Sequence, residues 1–306
     1  MPTILVPDDH GVEVLAGVPA VTALRYTAGE VPAGGDTAEV LVVPFGPVEP
    51  LIAMTTRLPR LRLVQTLHAG TESWRGRLPP GVLLSNARGA HGAATAEWAL
   101  AGLLAVYRGL PGFIADQAAG QWRWRTTDSL QGKRILILGA GDLGTCLRQL
   151  VAPFGTTVTM VARRRRSGVH HLSDLADLLP CHDVVVVMLP HSEATHHLVD
   201  KDFLARMPDG AVLVNAARGP LVDTDALVAE LRRQRIRAVL DVTDPEPLPA
   251  GHPLWTAPGV LITPHVGGSV HDYRLRAWRV VAGQIAQFAR GDVPDNLVRA
   301  SPPIVP

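Results

Sequence analysis

The chain has 306 residues, of which 47% are hydrophobic and 19% charged, with a formal net charge of +1. That is the composition of an ordinary globular protein long enough for two domains, and its mixed charges imply neither a nucleic-acid face nor an anionic-membrane face. Two cysteines, Cys146 and Cys181, build no disulfide framework and match no zinc spacing. None of the histidines falls in a metal-binding motif, so no metal is expected and a reduced, cytoplasmic setting is the simplest. The opening residues lack the basic segment and apolar core of a signal peptide, and the longest apolar stretch, 98–107, is too short for a bilayer.

Residues 1 to about 90 alternate short apolar runs (3–6, 40–43, 61–67, 82–85) with Pro/Gly turns, the pattern of a small α/β unit. The segment 95–107 reads as a helix apolar on most faces, expected between domains. A Pro/Gly stretch with Trp122 and Trp124 follows and reads as a connection. From Lys133 the rhythm changes to near-continuous apolar runs at 134–138, 157–162, 183–189, 211–217, 238–242 and 260–263, the mark of parallel strands buried on both faces. Helical patterns lie between most of them (144–154, 172–179, 223–233), which predicts a doubly wound parallel sheet. A last helix is predicted over 270–290, stopped by Gly291, with a final segment at 293–298.

The first strand of that sheet ends in Gly139-Ala140-Gly141-Asp142-Leu143-Gly144, a GxGxxG between a strand and a helix. The first glycine makes the tight turn, the second lets backbone approach a pyrophosphate, and the third allows helix and strand to pack closely. The helix N-terminus adds N–H donors for the phosphates. The fingerprint then departs from its usual form. Where an acidic residue should end the second strand and bind the adenine ribose, the chain runs into Arg163-Arg164-Arg165-Arg166. Arg163 and Arg164, the first residues past the strand end, suit a 2′-phosphate and therefore NADP over NAD. The alternative is a solvated basic turn.

Three later strands each deliver polar residues at their carboxyl ends, where ligands bind in an open parallel sheet. They are Arg218 after Asn215, Asp241 with Glu246 in a Pro-rich loop, and His265 in Thr263-Pro264-His265-Val266-Gly267-Gly268. A cation, a carboxylate and an imidazole are what hydride transfer to a 2-keto acid requires. The cation fixes the substrate carboxylate and polarises the carbonyl, the imidazole supplies the proton, and the carboxylate favours the imidazolium. Each also has a plainer reading, as an ion-pair partner, a rim carboxylate or a loop histidine.

At this point the chain resembles the D-isomer-specific 2-hydroxyacid dehydrogenases, from about Leu61 to Val298 and most densely between Gly132 and Gly268. The matching strings lie at 136–144, 183–190 (Asp-Val-Val-Val-Val-Met-Leu-Pro), 214–223 (Val-Asn-Ala-Ala-Arg-Gly-Pro-Leu-Val-Asp), 241–249 and 263–268. The resemblance implies that Arg218 binds the substrate carboxylate and carbonyl, that His265 is the acid/base, and that Glu246 partners it. It implies that Asp241 contacts the nicotinamide carboxamide, that Pro190 and Thr195 lie near the adenosine half, and that Ala216 and Gly267 line the coenzyme with the glycine loop. The backbone of Ala69, Gly70 and Thr71 is implied to hold the substrate carboxylate, although Thr71-Glu72 departs from the family's apolar residue and Asp. Trp98 stands where histidine is common. Phe45, after the 40–43 strand, is expected in the specificity loop, either capping a small pocket or stacking on an aromatic substrate.

The family fold implies a Rossmann-type cofactor domain over 96–275 and a smaller discontinuous α/β substrate domain, 1–95 with 276–306. Substrate is expected in the cleft between them, and a homodimer joined through the cofactor domains. The expectation is an NADP(H)-preferring oxidoreductase that interconverts a 2-keto acid, either small or aromatic, and the D-2-hydroxy acid, running in the reducing direction and leaning toward the glyoxylate/hydroxypyruvate reductase branch. Two alternatives stand beside it: a phosphite dehydrogenase-like activity, and a nucleotide-sensing, corepressor-like interaction protein on the same scaffold.

Overall fold

The computed structural model describes residues 1–298. The chain divides into two compact units, one made of residues 1–91 with the chain from His271 on, the other of Gly92–Val270. Both breaks precede helices, whereas the expected boundaries at 95/96 and 275/276 fall inside them. A helix stays with the core its apolar face covers, so the break moves to its entrance.

The first unit runs β1 (Thr3–Val6), α1 (Asp9–Ala16), β2 (Thr22–Arg25), β3 (Ala38–Val43), α2 (Glu49–Thr55), β4 (Leu63–Thr66) and β5 (Leu83–Ser85), and takes in the closing helix, Tyr273–Ala289. Its parallel sheet has the order β2-β1-β3-β4-β5. Alternate strand residues divide between two cores, as the period of a strand requires. Ile4, Val6, Val40, Val42 and Leu63 meet Trp278, Ile285 and Phe288 of the closing helix. Leu5, Leu41, Val43 and Val64 meet Leu51, Met54 and Trp74 on the opposite face.

The second unit runs α3 (Gly92–Tyr107), α4 (Leu110–Ala118), β6 (Arg134–Leu138), α5 (Asp142–Val151), β7 (Thr157–Ala162), β8 (Val169–His171), α6 (Leu175–Leu178), β9 (Val184–Val187), α7 (Lys201–Arg206), β10 (Val212–Asn215), α8 (Thr224–Arg232), β11 (Arg237–Leu240) and β12 (Val260–Ile262). Its seven strands are all parallel in the order β12-β11-β10-β9-β6-β7-β8. The direction of winding reverses between β6 and β9, which makes this a Rossmann sheet with its switch point at the end of β6. Both faces are covered. Ile135, Ile137, Val184, Val186 and Val214 pack with Ala96, Ala99 and Leu103 of α3 and Leu147 of α5. Leu136, Leu138, Val185, Val187 and Leu213 pack with Phe203, Leu204, Leu227 and Leu231.

Three local expectations change. The apolar helix over 95–107 is a core helix of the second unit, because its small residues let it lie on the sheet beside α5. The Pro/Gly stretch after it contains α4, whose second residue is Pro111. Proline fits a first helical turn, where its missing N–H would have had no intrahelical acceptor. The edge strands β2 and β8 go unpredicted because they are short and half-exposed and carry no continuous apolar run. Among the described residues no single helix is long and apolar enough to cross a membrane.

Candidate active site

The glycine loop is shaped by the chain on two sides and left open on the third. Gly139 has φ +126°, and a Cβ there would lie 2.4 Å from the carbonyl oxygen of Met188. A Cβ on Gly144 would lie 1.9 Å from the carbonyl oxygen of Gly139. Gly141 differs from both, because a Cβ there would meet nothing within 4 Å and the residue is exposed. The fold itself therefore demands the outer two glycines, while the middle one keeps clear a space that the fold does not fill. That space lies at the N-terminus of α5, whose first-turn N–H groups have no intrahelical acceptor. A dinucleotide's pyrophosphate fits this cradle. The helix starts at Asp142, ahead of the expected Gly144. The Asp142 carboxylate is turned toward Gly92 at the start of α3, where a Cβ would come within 2.0 Å of its Oδ2, so Asp142 offers the cradle its backbone. Leu143 packs against the α3/α5 core and likewise has only its N–H to offer. Burial and the Asp142 carboxylate, 3.9 Å away, raise the Cys146 thiol pKa and keep it protonated.

The four arginines after β7 are all exposed, yet they are not equivalent. Arg165 donates to both oxygens of Asp174 (2.8 and 3.0 Å). Arg166 reaches back to the carbonyl oxygen of Ala140 in the glycine loop (2.6 Å). Arg163 and Arg164 make no hydrogen bond or ion pair among the described residues. Past β9, Pro190 is exposed and Thr195 is buried. The Thr195 hydroxyl accepts from Ser192 N (2.8 Å) and donates to Pro190 O (3.0 Å), so it ties its own turn together.

Arg218, Glu246 and His265 all lie past the carboxyl ends of neighbouring strands. Arg218 is half-buried and follows Asn215, whose side-chain amide donates to Arg218 O (3.0 Å) and accepts from Ala217 N (3.1 Å). Gly219 then passes so close to Thr243 that a Cβ would lie 1.9 Å from its carbonyl oxygen. These three contacts fix the turn that presents the guanidinium. Ala216, between them, is buried and donates to Val187 O (3.2 Å). Glu246 stands in the loop after β11, which Thr224 and Thr243 hold by hydroxyl bonds to Asp244 O and Pro245 O (both 2.8 Å). The Nδ1–H of His265 donates to Glu246 Oε1 at 2.7 Å. That bond commits Nδ1 and leaves Nε2 as the nitrogen that can exchange a proton with another molecule. Both side chains are about 40% exposed (39% and 41%), which allows a solute to reach them.

In the first unit, Ala69, Gly70 and Thr71 follow β4 and Phe45 follows β3, so all four lie at the same end of adjacent parallel strands. The Phe45 ring is 67% exposed and packs on His68, with centroids 4.6 Å apart. Thr66 Oγ1 donates to His68 O (2.6 Å) and Asn86 Nδ2 to Ala69 O (2.8 Å), which holds the loop's shape. Thr71 is only 4% exposed, so Ala69 and Gly70 are the accessible part of the loop.

Residues 100–267 match the model of the D-isomer specific 2-hydroxyacid dehydrogenase NAD-binding domain, which is more than half of the chain. The chain belongs to the D-isomer specific 2-hydroxyacid dehydrogenase family. It is 33% identical to a glyoxylate reductase of Aeropyrum pernix over 80% of this chain and 78% of that one. It is 31% identical to glyoxylate/hydroxypyruvate reductase B of Yersinia pestis over 78% of each. A crystal structure of a D-isomer specific 2-hydroxyacid dehydrogenase from Xanthobacter autotrophicus, in complex with NADPH and MES, superposes with a TM-score of 0.84 at 30% identity, covering 97% of this chain and 98% of that one. The protein is accordingly an NAD(P)-dependent oxidoreductase of 2-hydroxy acids with a Rossmann-type NAD-binding domain.

Within this 2-hydroxyacid dehydrogenase, several polar residues at the sheet edge escape a reading of the sequence. Asn215, Thr243 and Thr263 carry no charge and match no motif of their own, but their side chains staple the loops of Arg218, Glu246 and His265. The signal available for them is position: a polar residue closing a strand or following it within three residues. No group of three or more His, Cys, Asp or Glu side chains among the described residues could hold a metal ion.

Proposed function

We propose that the protein reduces small 2-keto acids to D-2-hydroxy acids, with NADPH preferred over NADH. The observation that carries the reaction is the 2.7 Å pair of His265 and Glu246 on the carboxyl edge of a Rossmann sheet, with Arg218 past the end of a neighbouring strand. When bound, the reduced nicotinamide supplies a hydride to the carbonyl carbon. Arg218 binds the substrate carboxylate and draws charge toward the carbonyl oxygen. His265 gives the Nε2 proton to that oxygen as it becomes an alkoxide. Glu246, hydrogen-bonded at Nδ1, orients the ring for the transfer and then holds it in the tautomer whose Nε2 can take up the next proton. Taken by itself, the first unit offers the accessible backbone of Ala69 and Gly70, which suits a carboxylate, and the exposed Phe45 ring, which suits an apolar substrate side chain. The coenzyme preference is supported by the two unpartnered arginines, Arg163 and Arg164, where an acidic residue would select NAD. Relatives named as reductases support the reducing direction.

The test is coenzyme oxidation with NADPH and with NADH over glyoxylate, hydroxypyruvate, pyruvate, 2-ketobutyrate and phenylpyruvate, with phosphite plus NADP⁺ as the oxidative control. Turnover of a keto acid, faster with NADPH, is the expected result. Coenzyme binding with no keto acid turned over would overturn the reading, and reduction of NADP⁺ by phosphite alone would replace it.

We also propose a homodimer formed by the second unit, in a reducing, cytoplasmic compartment suited to the free Cys146 and Cys181. The arm after α4 supports the dimer: Trp122 is 100% and Trp124 86% exposed, and with Phe113 they line a mainly apolar cavity of about 570 Å³. Two indoles standing in water are costly unless a partner covers them. Trp122→Ala with Trp124→Ala is expected to shift the sedimenting species from dimer to monomer at micromolar protein. A native chain that sediments as a monomer throughout would dismiss the dimer.

A further inference from the structure

The loop that carries His265 is bound to one buried residue along its length. Asp241, the first residue after β11, is 4% exposed. Its carbonyl oxygen accepts from His265 N (2.7 Å). Its carboxylate accepts from the Thr263 hydroxyl (2.6 Å) and Val266 N (2.9 Å) at Oδ1, and from Gly267 N (2.8 Å) at Oδ2. Between these anchors His265 adopts a left-handed backbone, φ +54°, which a side chain other than glycine keeps only where its surroundings over-determine it. The fit is tight on the far side too, since a Cβ on Gly267 would lie 2.8 Å from Asp241 Oδ2.

From this geometry we infer that Asp241 is a positioning residue for the acid/base, acting through the backbone of the 263–267 loop, with the Thr263 hydroxyl as its partner. The inference rests on the reading of His265 as the proton donor. Two anchors then aim the imidazole independently. Glu246 holds the ring at Nδ1, and Asp241 holds the backbone from which the ring projects. A carboxylate offers about four acceptor sites, and three of those on Asp241 are taken by the loop. One site on Oδ2 is left for anything else, including the nicotinamide carboxamide that the family resemblance implies. Asparagine cannot replace it, because its NH2 would face either the Thr263 and Val266 donors or the Gly267 N–H.

The consequence separates proton delivery from coenzyme binding. Small misplacements of a catalytic group cost large factors in rate, about 10²-fold for roughly 1 Å. Thr263→Val removes one bond to Oδ1 without changing shape, and is expected to lower kcat by about tenfold, as the loss of one buried hydrogen bond allows, with the NADPH dissociation constant nearly unchanged. Thr263→Ser restores the hydroxyl and is expected to restore kcat. Asp241→Asn is expected to lower kcat by about 10²-fold, again with a smaller effect on NADPH binding. The measurements are steady-state kcat with the best keto acid, NADPH affinity by fluorescence titration, and thermal melting to certify folding. Wild-type kcat in Thr263→Val, failure of Thr263→Ser to recover a lost rate, or an Asp241→Asn defect confined to NADPH affinity would each overturn the clamp. His265→Ala is measured alongside. Full turnover in that variant overturns the acid/base reading itself, whereas its loss beside an unimpaired Thr263→Val overturns only the clamp.

Discussion

His265→Ala is expected to lower keto-acid turnover by about 10²–10⁴-fold, the range that a positioned general acid supplies, while NADPH still binds. The two effects separate because the groups sit on different strands. The glycine loop, residues 139–144, follows β6, whereas His265 follows β12. The imidazole contributes through Nε2, since Nδ1 is committed to Glu246 at 2.7 Å. Without the ring, the alkoxide formed on the substrate must take its proton from water, which is neither held nor pre-aimed. Glu246→Gln keeps a hydrogen-bond acceptor that can still hold the ring at Nδ1, so its loss is expected to be smaller. Stopped-flow NADPH oxidation and fluorescence titration on the same preparations measure both quantities. Turnover within tenfold of the native rate in His265→Ala would remove it from the reaction, and weakened NADPH binding of the same size as the rate loss would make it a coenzyme ligand instead.

Much of the second unit is legible in the sequence because a parallel sheet covered on both faces writes itself as uninterrupted apolar runs. Val184–Val187 and Val212–Asn215 are buried throughout, and Arg134–Leu138 is buried after its first residue. The strand ends are legible for the same reason: when a buried run stops, the next polar residues must lie at the edge, and Arg218, Glu246 and His265 do. Edges themselves are harder. β2 and β8 face solvent on one side, so their residues need not be apolar, and no pattern marks them.

The jobs of individual polar side chains are the least legible part, since they depend on loops closing in three dimensions. Asp241 is implied by resemblance as a nicotinamide contact, yet most of its acceptor sites are taken by Thr263, Val266 and Gly267, more than twenty residues later in the chain. Thr195 is a similar case, with a hydroxyl spent on the turn it belongs to. In both, a residue type suited to ligand binding also suits loop closure, and only the packed structure separates the two uses. Four identical letters at 163–166 hide three different environments.

Those environments make the coenzyme preference testable residue by residue. Arg163→Ala with Arg164→Ala is expected to lower kcat/KM for NADPH by about 10²-fold and to change NADH use by less than about threefold. A hydrogen bond to a charged group contributes about 1.5–3 kcal/mol, and exposure of both guanidinium groups discounts that figure through solvent and salt screening. Two such bonds to a 2′-phosphate, so discounted, give a difference of that order, and NADH has no phosphate there to lose. Arg165→Ala serves as the control. Its guanidinium is already paired with Asp174 at 2.8 Å, so its removal should leave the ratio of NADPH to NADH efficiency nearly unchanged. Arg166→Ala should behave in a third way. Its bond to Ala140 O braces the glycine loop that both coenzymes share, so both efficiencies should fall together. The preference should also weaken with added salt in the native protein and lose that dependence in the double variant. Equal losses for NADPH and NADH on removing Arg163 and Arg164 would mean that the basic turn is merely solvated and that selection of the coenzyme lies elsewhere in the sheet edge.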